Sequence, residues 1–219
     1  MLPFADRTEA GQRLAEALSR YAGRRDLLVL ALPRGGVPVA FEVAERLGAE
    51  LDVIVVRKLG VPYQEELAMG AIASGGAKVL NQDVIASIGL SEDEIETVAQ
   101  REAQELARRE RIFRGERPFP QVKGRTVILV DDGLATGATM RAAVAALRQL
   151  EPSAIVVAVP VAPPDTAARL RAEVDDLVCL ATPEAFYAVG QWYVDFSQLS
   201  DEDVRDLLAK AWERGAFGH

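Results

Sequence analysis

Hydrophobic residues lie along this chain in short, unbroken runs that are separated by longer segments of mixed character. Valine, leucine, isoleucine and alanine fill consecutive positions in these runs instead of alternating with polar residues. Such runs are typical of strands that are covered on both faces of a parallel sheet. The runs that predict strands lie at residues 27–32, 51–56, 126–130, 154–159 and 174–180.

The segments between these runs predict helices. Asp6 and Glu9 form a capping pair ahead of an amphipathic helix that carries Leu14 and Leu18 on one face. The later predicted helices lie at residues 37–47, 91–114, 140–150 and 201–214. Strands that alternate with helices indicate an α/β fold built on a doubly wound parallel sheet.

Two segments depart from this alternation. Residues 59–80 are rich in glycine and predict a mobile loop followed by a hairpin. Ser91 and Glu94 form a capping box at the start of a long charged helix. Acidic residues interleave the arginines near the end of that helix, so we interpret these arginines as a solvated face. They are Arg108, Arg109, Arg111 and Arg114.

Composition narrows the possible functions. The chain has 219 residues, 49% of them hydrophobic, which fits a single domain over residues 1–219. A formal charge of −8 argues against nucleic acid or an anionic membrane as a partner. No apolar run approaches the ~20 residues of a membrane span and the N-terminus shows no secretory pattern, so we expect a cytoplasmic protein. The only histidine is His219, which excludes mechanisms that need an internal histidine.

The chemistry is expected at the carboxyl ends of the strands, where doubly wound sheets bind ligands. The run 126–130 leads into Asp131 and Asp132, and a loop of small and hydroxyl residues then opens a helix. Backbone N–H groups at a helix N-terminus form an anion site, and small side chains let a phosphate approach them. Adjacent carboxylates suit a sugar phosphate, because its hydroxyls can donate to them. The alternative is a plain strand-to-helix turn with surface acids.

This run resembles the phosphoribosyl-diphosphate (PRPP) signature of the type I phosphoribosyltransferases. The resemblance implies that Asp131 and Asp132 are catalytic residues that hold the ribose hydroxyls. It also implies that the following loop cradles the 5-phosphate of PRPP, through Ala135, Thr136, Gly137, Ala138 and Thr139. Gly133 departs from the apolar residue that is usual in the family, and we expect it to loosen the loop.

Two further segments support the same resemblance. The Pro-Arg-Gly-Gly segment at 33–36 looks like the family's pyrophosphate loop, where a backbone N–H in an unusual conformation meets the diphosphate. Arg34 and Gly35 are therefore predicted diphosphate contacts, the alternative for Arg34 being a surface arginine before a turn. Arg57 and Lys58 follow the second predicted strand and are predicted to bind the same group.

The resemblance also implies a closing loop and a hood. The loop would be Leu59–Leu67, and Glu66 could accept a proton from the incoming base, unless it is simply a solvated acid. The hood would be formed mainly by residues 181–219, with a possible contribution from the N-terminus. Aromatic residues in this segment could stack on a base or form a small core of their own, and the candidates are Phe186, Tyr187 and Trp192.

The whole chain resembles a group of bacterial phosphoribosyltransferases that have no established acceptor. The function implied is Mg²⁺-dependent transfer of phosphoribosyl from PRPP to a nitrogenous base or related acceptor, with release of diphosphate, by a possible homodimer. The alternative is a regulator that senses PRPP or nucleotides without catalysis. No G-x-G-x-x-G follows a strand and no G-x-x-x-x-G-K-[ST] occurs, so dinucleotide-binding and P-loop functions are excluded.

Overall fold

The hydrophobic runs form a five-stranded parallel sheet in the computed structural model, which describes residues 1–216. In spatial order the strands are β2 (Glu50–Val53), β1 (Leu27–Ala31), β6 (Thr126–Val130), β7 (Ala154–Val161) and β8 (Asp176–Ala181). Every side chain of β1 and β6 is buried, because both faces of the sheet are covered. The predicted doubly wound α/β fold is confirmed.

The helices are α1 (Arg7–Ala17), α2 (Gly36–Leu47), α3 (Gln82–Ile88), α4 (Glu92–Arg114), α5 (Ala138–Arg148), α6 (Pro164–Arg171) and α7 (Asp201–Ala216). They cover the two faces of this sheet, except that α3 and α4 pack mainly against the second sheet described below. Val29 of β1 packs in one hydrophobic cluster with α1 and α2, and its neighbours Leu28 and Leu30 pack in another with α5 and α6. No helix within residues 1–216 has both the length and the apolar character needed to cross a bilayer.

The order of the strands reverses between β1 and β6. The chain runs from β1 outward to β2 on one side and later returns to place β6 on the other side of β1. Ala31 at the end of β1 is in register with Val130 at the end of β6. The loops that follow these two strands therefore lie side by side, at the point where open α/β sheets bind ligands.

A second sheet forms in the region where the sequence predicted the end of one strand and a loop. β3 (Val56–Val61), β4 (Gln64–Ala73) and β5 (Ala77–Leu80) form an antiparallel sheet. The strand predicted over 51–56 is confirmed only as far as Val53, because the chain leaves the edge of the central sheet after Ile54 and Val56 pairs with Ala73. The loop predicted for 59–67 is a hairpin in which only Pro62 and Tyr63 connect β3 to β4.

The fourth strand is longer than predicted. β7 continues through Pro160 to Val161 instead of ending before the proline. Its pairing with β6 ends at Ala158, whereas its pairing with β8 continues to Val161. Beyond Ala158 only one side of β7 is paired, so the missing N–H of Pro160 is tolerated.

The interpretation of the α4 arginines as a solvated face was wrong for Arg114. Its side chain is 3% exposed and its Nε and Nη2 each donate to Oδ1 of Asp52 at 3.0 Å. Nη2 also donates to the carbonyl of Val53 at 2.6 Å. Arg114 lies on the side of α4 that faces the sheet, so it pairs with a buried acid of β2 instead of with solvent.

Candidate functional site

Asp131 and Asp132 lie directly after β6 and are fixed by different partners. Oδ1 of Asp131 accepts a hydrogen bond from the backbone N–H of Asp132 at 2.8 Å. Oδ2 of Asp132 accepts one from Nε of Arg7 at 3.0 Å, and the side chains of both residues are 12% exposed. The hydroxyl of Tyr193 donates to the backbone carbonyl of Asp132 at 2.6 Å. The acidic pair is thus held by the start of α1 and by the C-terminal segment.

Burial controls the acidity of this pair. It raises the pKa of the Asp131 carboxyl well above its ordinary value, and the neighbouring Asp132 charge raises it further. Burial also raises the pKa of Asp132, but the hydrogen bond and positive charge of Arg7 oppose this. A buried pair of this kind favours ligands that donate hydrogen bonds to carboxylates.

The loop after β1 approaches the acidic pair closely. The peptide between Pro33 and Arg34 is cis, and the loop leads directly into α2. A Cβ on Gly35 would overlap the Asp132 carboxylate, and one on Gly36 would lie 2.7 Å from the carbonyl oxygen of Val130. Glycine is therefore required at both positions. The exposed Arg34 guanidinium lies 3.5 Å from Oδ1 of Asp201.

The loop between Asp132 and α5 is held in place by hydrogen bonds to β7 and α6. The Leu134 N–H donates to the carbonyl of Val161 at 3.0 Å, and Oγ1 of Thr166 donates to the carbonyl of Ala135 at 2.8 Å. Gly137 has a φ of 74° and precedes the first turn of α5. These contacts place the N-terminal N–H groups of α5 beside a loop of small residues, and phosphate binding by residues 135–139 stays a prediction. The side chains of Ala135, Thr136 and Thr139 are exposed and that of Ala138 is partly exposed.

The expectation that Gly133 loosens this loop was wrong. Gly133 is buried, and a Cβ there would lie 2.6 Å from Cγ1 of Val189 and 3.0 Å from Cγ1 of Val161. The glycine instead lets the C-terminal segment pack directly against the acidic loop.

Replacing Gly133 with alanine should therefore destabilise the protein by about 1–3 kcal/mol through overpacking. The added Cβ would push against Val189, so the double variant with Val189→Ala should recover much of the loss. Urea denaturation of the two single variants and the double variant measures the coupling. Additive losses would show that the two residues do not press on each other.

A cleft of about 270 Å³ opens over the acidic pair. Its lining consists of Arg7, Arg34, Gly35, Asp131, Asp132, Gln198 and Leu199. Sequence reasoning missed Arg7, Gln198 and Leu199. One signal was available for Arg7, because a cation in the first turn of a helix is unfavourable next to the positive end of the helix dipole. Such a residue needs a tertiary partner, and here the partner is Asp132.

The structure places the other predicted diphosphate and proton-transfer residues outside this lining. Arg57 and Lys58 lie within β3, where Arg57 pairs with Glu102 of α4 at 2.8 Å and Lys58 is exposed. Glu66 is exposed on β4. The functional assignments of these residues stay predictions.

The predicted base-binding aromatic residues lie in the C-terminal segment. Phe186 and Trp192 pack against each other with ring centroids 6.0 Å apart, and Tyr187 is 87% exposed. Phe4 contacts Tyr193 through a parallel bridge and a ring contact, so the N-terminus packs against the C-terminal segment. These residues belong to a small hydrophobic cluster, while a hood over the site and base binding by Phe186, Tyr187 and Trp192 stay predictions.

Comparison with known proteins identifies the family. A family model for the phosphoribosyl transferase domain matches residues 6–197. The chain belongs to the phosphoribosyl transferase family. Two proteins from strains of Mycobacterium tuberculosis, each provisionally named a phosphoribosyl transferase, are 49% identical over 208 residues. That match covers 95% of this chain and 47% of theirs, so the chain spans about half the length of these relatives.

A solved structure shares this fold over nearly the whole chain. The crystal structure of the protein TT1426 from Thermus thermophilus is 46% identical to this chain and superposes with a TM-score of 0.83. The match covers 94% of this chain and 98% of that protein. The doubly wound sheet and its switch between β1 and β6 thus belong to a fold that an experimentally determined relative shares.

Proposed function

We propose that this phosphoribosyl transferase domain binds PRPP and transfers its phosphoribosyl group to a nitrogenous acceptor, with release of diphosphate. The observation that carries this proposal is the position of Asp131 and Asp132 between two glycine-containing loops at the switch of the sheet. One loop offers the N-terminal N–H groups of α5 to a phosphate. The other loop brings the backbone of Gly35 against the same acidic pair.

Each part of PRPP has a complementary part of the cleft. The ribose hydroxyls would donate to Asp131 and Asp132, and the 5-phosphate would lie in the loop of residues 135–139. The diphosphate would lie at Arg34 and Gly35, where a guanidinium and a closely approaching backbone favour an anion. As the bond to diphosphate breaks, positive charge develops at the anomeric carbon, and the two carboxylates would stabilise that charge.

Magnesium fits this proposal as part of the substrate. Residues 1–216 contain no cluster of three or more acidic, histidine or cysteine side chains that could hold a metal ion by themselves. Mg²⁺ commonly keeps several waters and binds substrate phosphates, so it would arrive bound to the oxygens of PRPP. Bound there, it would neutralise charge on the leaving diphosphate.

The acceptor must approach the anomeric carbon from the side that the hood covers. Arg7, Gln198 and Leu199 line that part of the cleft, and they offer donors, an acceptor and an apolar edge. Glu66 lies on the exposed half of β4, so its predicted role in accepting a proton would require the β3–β4 hairpin to reach the cleft.

Diphosphate release tests this function. The protein is incubated with PRPP, Mg²⁺ and a panel of purines, pyrimidines and other nitrogenous acceptors, with the variant Asp131→Asn plus Asp132→Asn as the control. We expect release with one class of acceptor and none with the control. Binding of PRPP without turnover on any acceptor would favour the sensing regulator, and a lack of PRPP binding would contradict both functions.

A further inference from the structure

Arg7 is held against Asp132 by contacts on several sides. Its Nε donates to Oδ2 of Asp132 at 3.0 Å and its Nη1 donates to the carbonyl of Ser197 at 2.8 Å. Its Cζ lies 4.0 Å from the centre of the Phe196 ring. A guanidinium that is stacked and bonded in this way has few alternative orientations. The orientation of the Asp132 carboxylate is fixed with it.

This arrangement leaves one oxygen of each carboxylate for a ligand. Arg7 donates a hydrogen bond to Oδ2 of Asp132, and the backbone N–H of Asp132 donates one to Oδ1 of Asp131. Among the described residues, the other hydrogen bond of these carboxyl groups is the one they make with each other, so no further residue donates to them. Two neighbouring acceptor oxygens match two vicinal hydroxyls, which each donate one hydrogen bond.

We propose that Arg7 is a positioning residue for the transfer reaction, which holds the Asp132 carboxylate ionised and turned so that Oδ1 faces a ribose hydroxyl. This inference rests on the proposed function of the cleft, and it adds a residue from the N-terminal helix to that site. Arg7 acts through Asp132 and does not need to contact the reacting atoms. It also links the hood to the acidic pair, because Phe196 and Ser197 hold the same guanidinium.

Arg7 is the cation that opposes the effect of burial on the Asp132 pKa. The adjacent Asp131 carboxyl, whose own pKa is raised, lowers the Asp132 pKa by a side-chain hydrogen bond, and the Tyr193 hydroxyl contacts the backbone of Asp132 and not its carboxylate. Arg34 lines the same cleft but is paired with Asp201. The Arg7 guanidinium is therefore the one cation in direct contact with the Asp132 carboxylate within residues 1–216.

The ionisation of Asp132 can be measured without any substrate. Carbon-13 NMR of aspartate-labelled protein follows the carboxyl signals with pH, and an Asp132→Asn sample assigns the signal. In Arg7→Gln we expect the midpoint for Asp132 to rise by about one pH unit or more, the usual effect of losing an opposite charge. Arg7→Lys keeps a positive charge, so its Asp132 midpoint should lie much closer to that of the wild type. An unchanged midpoint in Arg7→Gln would overturn the inference.

Arg13 provides a matched control on the same helix. Its guanidinium lies 4.8 Å from the centre of the Phe4 ring in the hood, and its Nη1 donates to the carbonyl of Met1 at 2.9 Å. Arg13 thus repeats the hood contacts of Arg7 without touching Asp132. Arg13→Gln should leave the Asp132 midpoint in place. An equal shift in both variants would mean that the effect comes from loosening of the hood.

PRPP binding separates this inference from the proposed function. Calorimetry with PRPP and Mg²⁺ across pH should show binding weaker by up to about 10-fold in Arg7→Gln around and below the raised Asp132 midpoint, with a loss that shrinks as pH rises above that midpoint and Asp132 ionises. A loss of the same size at every pH would contradict a role through ionisation. If the wild type binds no PRPP, the proposed function fails, while the NMR result still decides what Arg7 does to Asp132.

Discussion

Asp131→Asn should weaken PRPP binding about 10- to 100-fold and at the same time make the ligand-free protein more stable. The loss of affinity follows from removing a charged acceptor for a ribose hydroxyl, a bond worth about 1.5–3 kcal/mol. The gain in stability follows from the position of the carboxyl group. Burial and the Asp132 charge raise its pKa in the folded protein, so the ionised form is unfavourable there.

The stability effect has a definite dependence on pH. An acid whose pKa is raised in the folded state contributes stability below its unfolded pKa of about 3.9, and this is lost as pH rises through the folded value. Asparagine carries no charge and its Oδ1 can still accept the Asp132 N–H. The free energy of unfolding should therefore rise by about 1 kcal/mol near neutral pH, with little gain near pH 4. Urea denaturation at both pH values measures this difference.

Asp175→Asn is the matched control for loss of a carboxylate. Asp175 lies before β8, at the edge of the sheet away from the cleft, and Ile155 N–H and Arg148 hold its pKa below the ordinary value. The pKa shift of Asp175 is opposite in sign to that of Asp131, so the folded protein favours the ionised form of Asp175. Asp175→Asn should therefore lower the melting temperature and leave PRPP affinity unchanged. If Asp131→Asn leaves PRPP affinity unchanged, the assignment of the ribose site is wrong. If Asp131→Asn lowers stability near neutral pH, the predicted cost of burying the Asp131 charge is wrong.

Arg114→Met should destabilise the protein by about 3–5 kcal/mol near neutral pH, the cost of leaving a buried carboxylate without its cation. Asp52 is 1% exposed, and its Oδ1 would keep only the bond from the Val53 N–H. Arg117 is 4.0 Å from Oδ2 of Asp52 and would compensate in part. Urea denaturation with circular dichroism measures the loss.

The loss in Arg114→Met should shrink in acid. Burial already raises the pKa of Asp52, and removal of Arg114 would raise it further. Protonation removes the unpaired charge, so stability should recover as pH falls through the raised value. The double variant with Asp52→Leu should recover much of the loss at every pH, since an apolar pair replaces the ion pair.

Arg111→Met is the control on the same helix. Arg111 has a side chain that is 75% exposed, so its loss should change stability by less than about 0.5 kcal/mol. An equally small effect of Arg114→Met would show that Asp52 does not depend on its cation.

The sequence by itself determined the sheet and its acidic loop. Consecutive hydrophobic residues specify strands buried on both faces, and this information is local to each run. Asp131, Asp132 and the small residues after them lie within a few positions of one another, so a strand followed by a helix brings them together automatically. The predicted positions of both loops at the switch depended only on these local patterns and the general topology of such sheets.

Only the tertiary structure decided which charged residues complete the site and the core. Arg7 meets Asp132 across 125 positions of sequence, and Arg114 meets Asp52 across 62. Burial of an arginine depends on which side of its helix faces an acid on another element, and spacing along the chain does not encode that acid. The strand from Val56 leaves the central sheet because β4, which follows it after a tight turn, pairs with it along its whole length. For the charged residues of the site and the core, long-range pairing therefore fixed what local pattern could not.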